Sequence, residues 1–116
     1  MSTESCLFCR IVRGEEAARI VYRDDAVIAF HDRRPVAPTH ILVIPTKHLA
    51  SLEELQADDV GLLDQMIHAA REAARREGVK SGGYRLVINT GADGGQTVFH
   101  LHMHLLAGRR MHWPPG

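Results

Sequence analysis

The alternation of hydrophobic and polar positions along the chain predicts a β-rich protein with one long helix. Five segments are rich in β-branched residues and are bounded by turn residues, which is the pattern of short strands. The predicted strands are 19–23, 26–30, 41–44, 84–89 and 98–106. The Asp-Asp pair at 24–25 predicts a turn between the first two strands, and Pro45 ends the third.

The predicted helix covers residues 60–77. Its apolar side chains recur at the i, i+1, i+4 and i+5 spacing of a single helical face. That face contains Leu62, Leu63, Met66, Ile67, Ala70, Ala73 and Ala74. Asp58 or Asp59 is expected to cap the start, and Gly78 to adopt a left-handed conformation after the end. His68 lies on the polar face and is expected to contact solvent.

The order of these elements predicts an α+β fold with a mainly antiparallel sheet. Three strands precede the long helix and two follow it. A doubly wound parallel sheet would need several helices, and the periodicity predicts one long helix. The length of 116 residues suits a single domain, 1–116, whose core needs no disulfides.

Composition changes this picture mainly through histidine. The chain has eight histidines, while 14 Lys and Arg balance 14 Asp and Glu and give a formal net charge of zero. This balance argues against nucleic acid as a partner, because binding to a phosphate backbone requires a basic surface. The apolar runs are too short for a membrane span and the first residues lack a signal pattern, so we expect a cytoplasmic protein outside the membrane.

Three histidines alternate along the last predicted strand, at His100, His102 and His104. Side chains in a strand alternate between its faces, so these three share one face. The opposite face, expected to pack under the helix, contains Phe99, Leu101, Met103 and Leu105. The row has three interpretations: a wet sheet face, a catalytic zinc site, or a nucleophile with a partner that handles the second proton.

A glycine-rich loop directly before this strand favours a phosphate ligand. Gly94 and Gly95 would let backbone N–H groups approach closely, Gln96 adds a carboxamide and Thr97 a hydroxyl. The loop has neither the lysine of a P-loop nor the spacing of a dinucleotide fingerprint. Beside three histidines, it predicts a cradle for a single phosphate.

Cys6 and Cys9 form a Cys-x-x-Cys pair near the start of the chain. Such a pair is half of a tetrahedral zinc site and needs two further ligands. One alternative is two reduced thiols packed near Phe8, and another is a redox pair. The redox interpretation is disfavoured because no βαβ unit follows the cysteines.

The His-x-His-x-His-x-x segment at 100–106 is one of several that match a single known family. The others are Phe30–Asp32, Ala37–His40 with Leu42–Pro45, Gly83–Arg85, Asp93–Gln96 and the ending Met111–Gly116. Together they resemble the histidine triad (HIT) family and, within it, the Hint branch of histidine triad nucleotide-binding proteins. The resemblance extends from about Cys6 to the C-terminus, and the ending is its most specific marker of the branch.

This resemblance implies a HIT-like fold, with a five-stranded mainly antiparallel sheet, one long and one short helix, and pairing into a symmetric homodimer. It implies a phosphoramidase that binds purine nucleotides such as AMP or GMP. The substrates would be purine nucleoside 5′-monophosphoramidates of the AMP-NH2 and AMP-lysine type, hydrolysed through a nucleotidyl-histidine intermediate without a cofactor. The alternatives are a nucleotide-binding regulatory or scaffold protein with incidental hydrolysis, and a zinc-dependent hydrolase.

The resemblance also assigns catalytic and zinc-binding roles. His102 would attack the α-phosphorus, and His104 with Thr97 would contact the non-bridging oxygens. His40 would help to protonate the triad or the departing amine, and His100 completes the triad. Relatives that keep the cysteine pair complete a structural zinc site with two histidines, which correspond here to His48 and His100.

The remaining residues implied by the resemblance would bind the rest of the nucleotide. Asp32 would bind the ribose hydroxyls. The base pocket would contain Ile28, Phe30 and His31, and Asn89, Gly95 and Gln96 would complete the phosphate and ribose contacts. Val98 is also expected to bind substrate. Trp113, in the segment Met111–Gly116, would serve the dimer and substrate selectivity.

Overall fold

The computed structural model describes residues 3–116 and has one antiparallel sheet and two α-helices. In chain order the elements are α1 (Leu7–Val12), β1 (Ile20–Arg23), β2 (Val27–His31), β3 (Thr39–Pro45), α2 (Leu62–Arg76), β4 (Tyr84–Val87) and β5 (Met103–Ala107). The strand order is β1-β2-β3-β5-β4, and every neighbouring pair is antiparallel. The predicted α+β class, with one long and one short helix, is confirmed.

The sheet is buried on both faces because its central strands alternate apolar side chains toward two separate clusters. One cluster packs under α2 and contains strand residues Val27, Ala29, Ile41, Val43, Met103 and Leu105. The other packs under α1 and contains Ile28, Phe30, Leu42 and Ile44 with Phe8 and Ile11. β3 contributes to both clusters, which explains why its side chains are almost continuously buried. The α1 face is the one that carries the site described below.

The last strand is shorter than the sequence predicts. The expected strand was 98–106, but β5 begins at Met103. The preceding residues leave the ladder because they turn toward the segment after β3, where the Leu101 N–H donates to the Leu49 carbonyl at 2.6 Å. Of the apolar residues expected under α2, Phe99 is 38% exposed and the other three are buried.

Helix α2 follows the predicted helix closely, but its cap differs. Gly61 occupies the N-cap position, and no side chain caps the helix there. Asp59 instead closes the preceding 3-10 turn by accepting the Gln56 N–H at 2.9 Å, and it also binds Lys47 Nζ at 2.7 Å. Its carboxylate is therefore engaged elsewhere. Gly78 adopts the expected left-handed conformation, with φ +73°.

Within residues 3–116, no helix combines the length and apolar character that crossing a bilayer would require.

Candidate active site

A cavity of about 1040 Å³ opens on the α1 face of the sheet. Its volume lies at the upper end of the range for small-molecule pockets, about 300–1000 Å³. The apolar part of its wall is formed by Leu7, Phe8, Ile11, Phe30, Leu42 and Val98. The polar part includes His31, Asp32, Thr97, His102 and His104. Apolar and polar groups therefore converge on one space, as in a site for an amphiphilic small molecule.

His102 lies in this wall with its tautomer set by the backbone. Its Nδ1 is 2.7 Å from the His100 carbonyl, which can only accept, so Nδ1 carries the proton. The lone pair is therefore on Nε2, on the other side of the ring. Phe8 packs edge-on against the ring at 5.3 Å and restricts its rotation. The arrangement presents a neutral, oriented imidazole nitrogen.

His104 receives its orientation from His40, which lies behind it and is buried. The Val36 N–H donates to His40 Nδ1 at 3.1 Å, so His40 carries its proton on Nε2. That Nε2 is 2.9 Å from His104 Nδ1 and 3.3 Å from Asp32 Oδ2. His104 Nδ1 then accepts, its own proton is on Nε2, and His104 can donate a hydrogen bond into the cavity. His40 has no second proton to pass on in this arrangement.

Burial keeps these imidazoles neutral. Desolvation, together with the neighbouring His102 and His40, lowers the pKa of His104 to about 4. Burial also lowers the pKa of His102 and that of His40, while the Asp32 carboxylate opposes both shifts. At neutral pH the cavity wall therefore offers uncharged histidines, which is the form needed for a nucleophile.

A second group of side chains lies behind the cavity wall and has the donor atoms of a metal site. It contains Cys6, Cys9, His48 and His100. His100 Nε2 donates to the Pro45 carbonyl at 2.9 Å, which leaves the lone pair on Nδ1. That Nδ1 is 3.4 Å from Cys6 Sγ, 3.6 Å from Cys9 Sγ and 3.2 Å from His48 Nδ1. In a tetrahedral zinc site with Zn–N of about 2.0–2.1 Å and Zn–S of about 2.3 Å, ligand atoms lie roughly 3.3–3.8 Å apart. The donor set and its spacing fit zinc.

A further trio, Asp32, His40 and His104, also brings potential ligand atoms within 4.8 Å of one another. It is a poor metal site because the Val36 N–H occupies the one lone pair of His40, and the nitrogen facing the trio is protonated. The trio is better described as a hydrogen-bonded network that orients His104 than as a metal centre.

Several groups of the predicted phosphate cradle form hydrogen bonds within the protein. The N–H groups of Gly95 and Gln96 donate to the carbonyls of Ala92 and Gly91 within the loop itself. The Gln96 carboxamide is buried and equally committed, since it donates to the Ala50 and Val98 carbonyls and accepts the Gly91 N–H. Gly95 and Gln96 therefore shape the loop, and Thr97 and Val98 are the residues that reach the wall.

Other residues expected in the substrate site also lie outside the cavity wall. Ile28 is completely buried in the cluster beneath Phe30, so it supports the wall without lining it. Asn89 is half-buried and does not line the cavity, and Trp113 is 83% exposed. His100 does not reach the cavity either, because its ring points to the cysteines; it supplies its backbone carbonyl to His102 instead.

The part of the cavity wall that α1 forms was not predicted from the sequence. Leu7, Phe8 and Ile11 line the cavity from a helix of six residues. So short a helix gives little periodic signal. Arg19, Arg33 and Arg34 were also not predicted to lie at the cavity, where all three contribute to the wall. A pocket formed between segments distant in the chain leaves no local pattern.

Comparison with known proteins supplies a family context for this geometry. Residues 5–112 match the family model described as "Scavenger mRNA decapping enzyme C-term binding". The chain is 46% identical over 106 residues to the purine nucleoside phosphoramidase of Escherichia coli K12, covering 91% of this chain and 89% of that protein.

Two solved structures share the architecture. The crystal structure of a HIT family hydrolase from Legionella pneumophila Philadelphia 1 superposes with a TM-score of 0.92 at 49% identity, covering 97% of this chain and 100% of that one. A zinc-bound histidine triad family protein from Mycobacterium smegmatis superposes with a TM-score of 0.78 at 33% identity, covering 93% and 78% of the two chains. The likeness therefore extends over nearly the whole chain.

Proposed function

The chain belongs to the histidine triad (HIT) family, in its Hint-like branch, and is a nucleotide hydrolase of that family. From this premise we propose that it hydrolyses the P–N bond of purine nucleoside 5′-monophosphoramidates through a covalent intermediate on His102. One observation carries the proposal: the His100 carbonyl, 2.7 Å from His102 Nδ1, leaves a neutral Nε2 lone pair in the cavity wall. Such a nitrogen is suited to attack on phosphorus.

In the first step, His102 Nε2 forms a bond to the α-phosphorus and the P–N bond breaks. The electron pair of that bond leaves with the amine nitrogen, which takes a proton from a water molecule as it departs. The proton on Nδ1 stays in place, so the modified ring is cationic and the His100 carbonyl stabilises it. His104, oriented by His40, would donate from Nε2 to a non-bridging oxygen, and Thr97 would add its hydroxyl.

In the second step, the hydroxide left by that water displaces His102 from phosphorus and releases the nucleoside monophosphate. Over the two steps one water is consumed, since its proton goes to the amine and its hydroxyl to phosphorus. This balance does not require a charged histidine, which agrees with the low pKa of His104, about 4.

The test is to trap the intermediate by a rapid alkaline quench, in which a phosphorus–imidazole bond is stable, and to measure the intact mass after mixing with adenosine 5′-phosphoramidate. We expect a nucleotidyl adduct on the wild-type chain, and neither adduct nor turnover with His102→Ala. His68→Ala is the matched control, because His68 is exposed, as predicted, and lies on α2, on the opposite face of the sheet from the cavity. Full turnover by His102→Ala would refute the proposal.

For the nucleoside, we propose that the base packs against the apolar part of the wall and that Asp32 binds the ribose. Phe8, Phe30 and Val98 offer flat or branched apolar surfaces of the kind that cover a purine ring. His31 is held by an ion pair or hydrogen bond to Glu77, 3.2 Å away, and borders this region. The name of the E. coli relative supports a purine.

We propose that Cys6, Cys9, His48 and His100 hold a structural zinc ion. Support comes from their spacing and lone-pair directions, and from the zinc-bound relative in M. smegmatis. When bound, zinc would supply a rigid cross-link and no reactive group. Reduced thiols require a reducing compartment, which supports the proposed cytoplasmic location.

The zinc proposal is tested by metal analysis of protein purified without a chelator. We expect one zinc per chain in the wild type and a large loss of zinc in Cys9→Ser. Wild-type protein without zinc, if it is still folded, would refute the proposal.

We also propose a homodimer, in which the tail of one chain approaches the site of the other. β4 is an edge strand, and a cavity of about 730 Å³ lies between it and the C-terminal segment. Trp113, beyond that cavity, is 83% exposed, which is unusual for tryptophan outside an interface. Light scattering should give about twice the chain mass of 12.9 kDa, and a mass equal to one chain would contradict the dimer.

A further inference from the structure

Three arginines line the cavity, and they differ in what they bind. Arg33 donates to Glu16 at 3.0 Å and to the Ala17 carbonyl at 2.6 Å, so its charge is paired. Arg19 and Arg34 also line the cavity. Across residues 3–116 their guanidinium groups have no hydrogen-bond or ion-pair partner. Two unpaired cations therefore border the same space as the catalytic histidines.

Both arginines are anchored beside the polar middle of the cavity. The Arg34 N–H donates to Asp32 Oδ1 at 2.8 Å, and the Arg19 carbonyl accepts the His31 N–H at 3.0 Å. Their backbones are thus held next to Asp32 and His31 rather than next to His102. We therefore infer that a ligand group bound by these arginines belongs to the part of the ligand near Asp32.

The cavity wall does not neutralise these charges. Asp32 is the one carboxylate among the described residues of the wall. Its Oδ1 accepts the Arg34 N–H, and its Oδ2 faces His40 Nε2 at 3.3 Å. A guanidinium presents parallel N–H donors that match the oxygens of a phosphate. The unpaired arginines are therefore suited to a phosphate group.

We propose that Arg19 and Arg34 form a second anion subsite that binds a phosphate on the ribose 2′- or 3′-hydroxyl of the substrate. This inference rests on the proposed function, in which Asp32 binds the ribose and so brings its hydroxyl edge beside Arg34. The hydroxyl that is not phosphorylated remains for Asp32. A cavity of about 1040 Å³ has room for the additional group. The substrate class is a nucleoside 5′-phosphoramidate that is also phosphorylated on its ribose.

The test compares the dissociation constants of four nucleotides by calorimetry: 5′-AMP, adenosine 2′,5′-bisphosphate, adenosine 3′,5′-bisphosphate and 5′-ADP. We expect one of the two ribose bisphosphates to bind on the order of tenfold more tightly than 5′-AMP, the effect of one charge-assisted pair. Arg34→Gln should bring that ratio close to one. Arg71→Gln removes the same charge from an exposed position on α2, and should preserve the ratio.

Three results would overturn the subsite. Ribose bisphosphates that bind no more tightly than 5′-AMP would do so, and so would a ratio that Arg34→Gln leaves intact. A preference for 5′-ADP over both bisphosphates would place the second phosphate away from the ribose. Hydrolysis of adenosine 5′-phosphoramidate, measured in parallel, keeps the two proposals apart: turnover without a bisphosphate preference removes only the subsite, whereas no turnover and no 5′-AMP binding removes the proposed function.

Discussion

At the scale of single residues, His100 serves two sites with different atoms. Its ring donates to Pro45 and turns its free nitrogen to Cys6 and Cys9, whereas its backbone carbonyl orients His102. The position of the His102 ring therefore depends on how its neighbour His100 is held. Three alternating histidines in sequence are in this way divided between two chemical environments.

Gln96 is a buried polar residue whose contribution to stability can be measured. Its carboxamide links the Ala50 carbonyl, the Val98 carbonyl and the Gly91 N–H. Gln96→Ala leaves these groups without that partner, so we expect the free energy of unfolding to fall by about 1–3 kcal/mol in urea titrations. Gln65→Ala, on the exposed side of α2, is the control and should change it by less than about 0.5 kcal/mol. Equal effects would contradict the structural role of Gln96.

The candidate residues of the cavity could be predicted from sequence more readily than the groups that orient them. His102, His104 and Asp32 could be selected because a triple-histidine row and a family pattern mark them, and all three line the cavity. Backbone groups orient two of the histidines: the Val36 N–H orients His40, and the His100 carbonyl orients His102. No residue type signals these contacts, so they appear only when the fold is known.

At the scale of elements, the loop between β4 and β5 is held by a tight turn that accepts only glycine at one position. A Cβ on Gly94 would collide with the Thr90 carbonyl oxygen and would lie 2.9 Å from the Thr90 nitrogen. Because both contacts are with backbone, the loop itself would have to move. Gly82 is also exposed, but a Cβ there meets nothing within 4 Å.

We therefore expect Gly94→Ala to lower the free energy of unfolding by about 1–3 kcal/mol, the usual cost of forcing extra atoms into a packed site. Because the loop positions Thr97 and Val98, catalytic efficiency should fall as well. Gly82→Ala should leave both quantities nearly unchanged. Equal stability and activity of the two variants would show that the loop can accept a Cβ at Gly94, which would contradict this prediction.

Helix α1 is too short to be stable alone, and side chains hold it in place. Cys6 is its N-cap residue and accepts the Cys9 N–H at 3.4 Å, so the proposed zinc site is built into its first turn. Removing zinc with a chelator should therefore increase hydrogen exchange at 7–12 by at least about tenfold, while the amides of α2 stay protected. Exchange at 7–12 that does not respond to zinc would show that packing alone holds the helix.

The elements that could be predicted are those with a local periodic signal. β2, β3 and α2 follow from alternation and from helical spacing within the segment itself. α1 and the true start of β5 could not be predicted in the same way. Both depend on partners far along the chain, such as the bond between Leu101 and Leu49.

At the scale of the whole molecule, buried neutral histidines make stability depend on pH. His104 has a pKa of about 4 in the folded chain against an ordinary value of 6.5, so the unfolded chain binds more protons between these values. The contribution of neutral, buried His104 to the free energy of unfolding is fully present above about pH 6.5 and is lost as the pH falls toward about 4. His40, whose pKa burial also lowers, acts in the same direction.

Urea titrations between pH 7 and pH 4.5 should show the free energy of unfolding falling over this window. His104→Asn removes one of the responsible groups, so its stability should decline less steeply than that of the wild type. His68→Asn is the control, since His68 is exposed, and it should retain the wild-type slope. Identical slopes for all three proteins would mean that other groups set the pH dependence.

The position of the cavity wall near the start of the chain has a consequence for proteolysis. Everything that α1 contributes, including both thiols and the residues Leu7, Phe8 and Ile11, precedes an exposed turn at Arg13–Glu15. The sheet and α2 lie entirely after that turn. One cut after Arg13 would separate α1 from the rest of the chain and open the cavity along one side, while the larger fragment keeps every strand and α2. A single cleavage would therefore remove one side of the cavity wall and leave the sheet and α2 intact.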